Sequence, residues 1–304
     1  MALTINTNIS SLVAQKNLLN ASKMLNKAIE RMTTGYKINH ASDNAAGYSI
    51  AKNWETQLSS LDVAADNAAT GADMLSTLED HYSLISSHLQ RVRDLTEQAS
   101  NGTYGTSSLV AIKAEITARL EEVDRIAGSC EFNGRNLMDQ SISSDLKIQV
   151  GLYSGDDNNI AISSDLFKYC KVTKDTTHSR DGLFGSSYAT IESVAQDCTS
   201  IDSDGKMIAS PSVTPAQMLD KIDDVLSELS RRTTKLGAAQ NRIDSAIESI
   251  GVQSQNITSS LSTLRDADIA TESSNYIQAQ ILQQAAATLL ATANQTPSIA
   301  LNLL

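Results

Sequence analysis

The stretch "KIDDVLSELSRRTTKLGAAQNRIDSAIESIGVQSQNITSSLSTL", Lys221–Leu264, carries an apolar residue every seventh position: Ile222, Leu229, Leu236, Ile243, Ile250, Ile257 and Leu264. A helix of 3.6 residues per turn keeps such a stripe on one side only by supercoiling along a partner. A long helix packed lengthwise is therefore expected. Pro215 is well placed in its first turn.

Another such stripe lies upstream. Leu75, Leu78, Tyr82, Ile85, Leu89 and Val92 follow at alternating steps of three and four, and the register runs back through Leu61, Ala64, Ala68 and Gly71. That is a second coiled-coil seam. Gly102 and Gly105 in "ASNGTYGTSS", Ala99–Ser108, break it. A shorter antiparallel helix is expected next, with Leu109, Ile112, Ile116, Leu120 and Val123 inward, and the late helix over 221–264 is available as a third beside these two.

The middle differs in kind. "LKIQVGLYSGDDNNIAISS", Leu146–Ser164, alternates apolar and polar residues around "SGDDNN" and reads as a β-hairpin. The Ser/Thr/Asp/Gly-rich stretch 174–212 has weak periodicity and is expected to be a small surface excursion with little regular structure.

Both ends are amphipathic. Ile5, Ile9, Leu12 and Leu19 mark one stripe, while Leu18, Leu25 and Met32 sit seven apart, with Gly35 placed to end the helix. At the other end Ile277, Ile281, Leu282, Ala285, Leu289 and Leu290 make a broad apolar face. Such helices would fray alone in water, so they are expected to meet each other or other copies of the chain.

Composition agrees with a mainly α fold: the 304 residues include only 3 Pro and 14 Gly, and 4% are aromatic. The net charge of -11 argues against nucleic acid or an anionic membrane as partner. No apolar run reaches membrane-spanning length, and "MALTINTNIS" lacks the basic and apolar regions of a cleavable secretory signal. Cys130, Cys170 and Cys198 form no CxxC pair and are expected to be free, at least partly buried thiols.

Chemistry is hard to find. Of His40, His81, His88 and His178 only His81 and His88 could share a helix side, and about two turns, or roughly 10 Å, separate them, too far for one metal. The carboxylates of "LEEVDRIA" and "DKIDDVLSE" read as surface ion-pair partners. "DSDG", Asp202–Gly205, resembles part of a calcium loop without its later Glu. Phosphate loops, GxSxG and HExxH are missing. No cofactor or enzymatic activity is expected.

Four longer stretches are diagnostic. "MTTGYKINHASDNAAGYSIA", Met32–Ala51, and "LGAAQNRIDSAI", Leu236–Ile247, resemble the two signature regions of bacterial flagellin. So do "LRDADIATESSNYIQAQILQQAAATLLATANQ", Leu264–Gln295, and the terminal "ALNLL", Ala300–Leu304. The resemblance covers roughly residues 1–153 and 216–304.

It implies a long antiparallel helical bundle in which both termini pair as a coiled coil, with a small β-hairpin region in the middle. The implied domains are 1–40 plus 265–304, the filament core; 41–173 plus 213–264, helical with the hairpin; and the variable excursion 174–212. The implied function is that of a structural subunit of the swimming filament, an extracellular helical homopolymer. Such chains are exported unfolded by the flagellar type III system, held beforehand by an export chaperone, and meet cap and hook-associated proteins.

"LQRVRDLTEQASN" is also similar to the region gripped by the host flagellin-sensing Toll-like receptor, which implies Gln90, Arg91, Leu95 and Glu115 as contacts. Arg91 and Leu95 are one turn apart, off the Leu89/Val92 seam, and are expected to face outward. Leu301, Leu303 and Leu304 resemble the terminal leucines read by cytosolic sensors. A hook-filament junction protein and a secreted coiled-coil adhesin remain alternatives.

Overall fold

The computed structural model describes residues 8–173, 181–185, 188, 190–208 and 213–301, with the side chains of 296–301 excepted. In chain order its elements are α1 (Ile9–Thr34), α2 (Ala45–Ser100), α3 (Thr106–Ser129), β1 (Glu131–Phe132), β2 (Arg135–Asn136), β3 (Leu146–Gln149), β4 (Asn159–Ile162), α4 (Ile191–Thr199), α5 (Pro215–Arg265) and α6 (Ile269–Leu301). The fold is mainly α with two antiparallel hairpins, β1–β2 and β3–β4, the second in the register Leu146↔Ile162.

The chain forms two compact units, residues 60–252 and residues 1–59 with 253–304. In the first, the heptad stripes of α2 and α5 and the inner side of α3 share one apolar core. Leu75, Leu78, Ile85, Leu89 and Val92 of α2 are fully buried, as are Ile116, Leu120 and Val123 of α3 and Ile222, Leu236 and Ile243 of α5. Arg93 of α2 grips Asp223 through two nitrogens at 2.6 and 3.2 Å, and Gln240 of α5 donates to Glu79 at 2.9 Å, so α2 and α5 run antiparallel. Gly71 lets the hairpin lie close on α2: a Cβ there would come within 2.3 Å of Ile148 Cδ1, and that side-chain end would have to shift.

The stretch 174–212 is more than a surface excursion. α4 caps its N-terminus through the Thr190 hydroxyl, which accepts from Ser193 N, and packs on α3 with Val194, Ala195 and Cys198 fully buried. Phe184, Tyr188 and Ile201 join the same core. Nine residues are too few for periodicity to register against the polar flanks, and burial of one face decides the helix instead.

In the other unit, α1 ends where expected. Gly35 adopts φ 75°, a left-handed conformation without Cβ cost, and its N–H bonds the Arg31 carbonyl. The units divide at 59/60 and 252/253, inside α2 and α5, whereas the sequence suggests 40/41 and 264/265. The reason is a set of cross-ties at the α1–α2 and α5–α6 turns, which joins the start of α2 and the end of α5 to the α1/α6 pair. Tyr36 and Asp266 form a β-bridge, Lys37 N–H bonds Arg265 O at 2.7 Å, and Ala267 N–H bonds Gly35 O at 2.8 Å.

Candidate assembly surface

The terminal helices are paired by small residues. On α1 the buried positions are Ala14, Ala21 and Ala28, seven apart, with Leu18, Leu25 and Met32 half-buried four residues after each. On α6 they are Glu272, Ala279 and Ala286, again seven apart. Polar contacts fix an antiparallel register: Asn8 donates to Ala293 O at 2.7 Å, Gln283 to Ser22 Oγ at 3.1 Å, and Arg31 to Glu272 at 2.8 Å. Arg31 lies in the last turn of α1 and Glu272 in the first turn of α6, so each charge also faces the favourable end of its helix dipole.

With alanines inside, the large apolar side chains point out. Ile9 is 68% exposed, Leu12 63%, Leu19 58%, Ile277 54%, Ile281 60%, Leu282 44% and Leu289 61%, while Leu290 is half-buried. Ile5, Leu303 and Leu304 lie outside the described residues, and Leu301 ends α6 with its side chain likewise undescribed. Covering one such Leu or Ile is worth about 1.5–3 kcal/mol. A single chain leaves that stabilisation unrealised along both terminal helices.

The α5 stripe behaves consistently. It is buried through Ile250 but only half-buried at Ile257 and Leu264.

On the α2/α3 face, Gln90 is exposed and Arg91 bonds Glu115 at 3.0 Å, their side chains 44% and 37% exposed. Leu95 does not face outward: it is 2% exposed. Val92, Leu95, Thr96 and Ala99 are all buried here, a face wider than the two-position seam, and the Cys198 thiol of α4 reaches Thr96. The α2 pattern alone could not reveal this wider buried face.

Reactive chemistry is muted. The three cysteines are free and buried, and burial pushes the Cys130 and Cys198 thiols up to about 12 and Cys170 upward as well. Such thiols are inert. Among the described residues no group of three His, Cys, Asp or Glu could hold a metal ion. The Asp202–Gly205 turn is served by a lysine: Lys113 of α3 donates to Ile201 O at 3.2 Å and Asp202 O at 2.9 Å, and pairs with Glu192 at 2.6 Å. No described helix is long and apolar enough to cross a membrane.

The sequence models "Bacterial flagellin N-terminal helical region" and "Bacterial flagellin C-terminal helical region" match residues 5–143 and 219–304. The flagellin of Xenorhabdus nematophila is 36% identical over the full length of both chains. The chain belongs to the bacterial flagellin family. The flagellin of Listeria monocytogenes serovar 1/2a is 30% identical over 97% of each chain. A putative flagellar hook-associated protein from Vibrio parahaemolyticus shares the fold, with TM-score 0.55, 14% identity, and coverage of 74% of this chain and 100% of that one.

As a flagellin, the chain is a structural subunit of the extracellular flagellar filament and not an enzyme. The alanine seam that aligns the outward faces was readable in principle as Ala14/Ala21/Ala28, but the larger leucines beside it carry the stronger hydropathy signal.

Proposed function

We propose that this flagellin polymerises through the outward apolar faces of α1 and α6, with residues 1–40 and 265–304 as the filament core. The observation that carries this is the inversion on the terminal pair: alanines hold the two helices together while Ile9, Leu12, Ile281 and Leu289 stand in water. A face that is costly to leave wet, on a chain of a filament family, is best covered by other parts of the terminal helices of neighbouring copies. A contact between different surfaces of identical subunits that does not close builds an open helical array. Salt-induced assembly of the purified chain, with and without a charge placed on that face, tests it.

The same reading includes export of the unfolded chain by the flagellar type III system, a chaperone engaging the C-terminal region beforehand, and cap and hook-associated proteins as assembly partners. Support lies in the family and in a terminal pair built on small residues, which loses little when kept apart. Exposure of the α6 apolar face leaves it open to a chaperone.

A second reading, recognition by the host flagellin-sensing receptor, is favoured by the exposed cluster Gln90, Arg91 and Glu115 spanning α2 and α3. Leu95 takes no part in it, being in the core. A reporter-cell comparison of the parent with Arg91→Ala tests it, and equal responses would remove it.

A further inference from the structure

Both long helical paths of the smaller unit break at the same level, at residues 35–44 between α1 and α2 and at residues 266–268 between α5 and α6. Two breaks side by side make a hinge. The two backbone hydrogen bonds across it, Lys37 N–H to Arg265 O and Ala267 N–H to Gly35 O, fix how far apart the turns are. A bridge of two bonds can still twist, because it has no neighbouring strand on either side.

Arg265 supplies ties in a different direction. Its backbone carbonyl is already half of the bridge, while its side chain, 17% exposed, lies with the guanidinium 4.1 Å from the centre of the Tyr36 ring and pairs with the Glu55 carboxylate of α2. Tyr36 stands on one turn, Glu55 is more than two turns along α2, and Arg265 ends α5. Three ties that do not share a line hold an angle where two do not. Lys37 Nζ adds a bond to Thr263 O at 2.9 Å.

We propose that Arg265 is the positioning residue that sets the angle at which the α1/α6 pair leaves the start of α2 and the end of α5, and through it the twist of the assembled filament. The proposal rests on the reading that the outward faces of α1 and α6 make the subunit contacts. Leverage makes the angle matter. α1 has 26 residues, about 39 Å of helix, so a tilt of about 10° at the hinge moves its far end by about 7 Å. Ile9 and Leu12 sit at that far end, and a shift of that size carries them past one row of side chains on a neighbour. A loose hinge would let subunits meet in more than one register. A planar guanidinium suits the position, since it stacks on a ring and hydrogen bonds a carboxylate at once, which an ammonium does less well.

The test is helical reconstruction of filaments grown from parent, Arg265→Ala, Tyr36→Leu and Tyr36→Phe full-length chains, alongside circular dichroism of each monomer. The expected result is monomers of equal helical content. Arg265→Ala and Tyr36→Leu filaments show a shifted or mixed subunit twist, and Tyr36→Phe, which keeps the ring face, shows the parental twist. Uniform parental twist in both disruptive variants would overturn the proposal. Should Arg265→Ala lose helical content, Tyr36→Leu, which leaves the Glu55 pair in place, carries the test alone. Parent chains that form no filament would instead remove the reading of the α1/α6 faces on which the proposal stands.

Discussion

Arg31 of α1 and Glu272 of α6 meet at 2.8 Å, and Glu272 is 7% exposed, so a largely buried ion pair of the two terminal helices sits beside the hinge. Asn275 also donates to Glu272 at 3.3 Å, while Arg31 Nε is buried without a partner. Removing the carboxylate leaves a guanidinium with still fewer acceptors. Glu272→Ala is expected to weaken the pair by about 1.5–3 kcal/mol. Amide exchange of α1 and α6 in the monomer reads this directly, and unchanged rates in the variant would contradict it.

The parent has its own exchange pattern to satisfy. The buried side chains of α1 are three alanines, whereas α2 buries Leu75, Leu78, Tyr82 and Ile85. Local stability follows buried apolar contact. In the unassembled chain α1 should exchange much faster than residues 75–92 of α2. Strong protection across residues 9–34 would show that the pair is stable without neighbours.

Lys113 anchors α4 and the Asp202 turn to α3 through one ammonium. In Lys113→Ala the Ile201 carbonyl loses its donor and the Asp202 carbonyl keeps only the Gly205 N–H, at a cost of about 1–3 kcal/mol. The specific consequence is release of α4, so the Cys198 thiol, fully buried in the parent, becomes reactive to an aqueous maleimide. Labelling of Cys198 at the parental rate would show that α4 is held by its apolar face alone.

Acid should act on both units. The Lys27 ammonium holds the Asp43 carboxyl down to about 2, with help from the His40 and Asn39 backbone N–H groups, and Arg231 with Arg232 holds Glu228 at about 2. Asp165 is held lower still by Lys168, Lys235 and Arg231. A carboxylate whose folded pKa is depressed adds stability above its unfolded value, here 3.8 for Asp and 4.5 for Glu. That stability is lost as pH falls through the folded value. Urea midpoints should therefore hold down to about pH 5 and decline between about 4.5 and 2. A midpoint that rises over that range would contradict these pairs.

The long helices were legible because their signal is long. Seven heptad positions on α5 and ten on α2 leave no other period, and Gly102, Gly105 and Pro215 mark where helices stop and start. The hairpin was legible from alternation around "SGDDNN". What escaped was tertiary. Leu95 reads as outward because two seam positions per heptad suffice for a two-helix contact, but the buried face of α2 is wider there and takes in Leu95 and Thr96, the latter reached by the Cys198 thiol. α4 itself escaped because its apolar residues, Val194, Ala195 and Cys198, occupy a little over one turn inside a polar stretch. The stripe Ile9, Leu12 and Leu19 was found, yet its direction was not fixed by periodicity. Only the packing of Ala14, Ala21 and Ala28 against α6 shows that it points away from the partner helix.

The central claim is that this outward stripe is where copies of the chain meet. The most direct measurement is negative-stain electron microscopy of the refolded parent and of Ile281→Glu after addition of a kosmotropic salt, which strengthens apolar burial. Ile281 is 60% exposed, so the substitution should change monomer stability by no more than about 0.5 kcal/mol. Long uniform filaments from the parent and none from the equally folded variant are the predicted result. Filaments from Ile281→Glu as long and as numerous as those of the parent, or a parent that stays monomeric even with filament seeds, would contradict it.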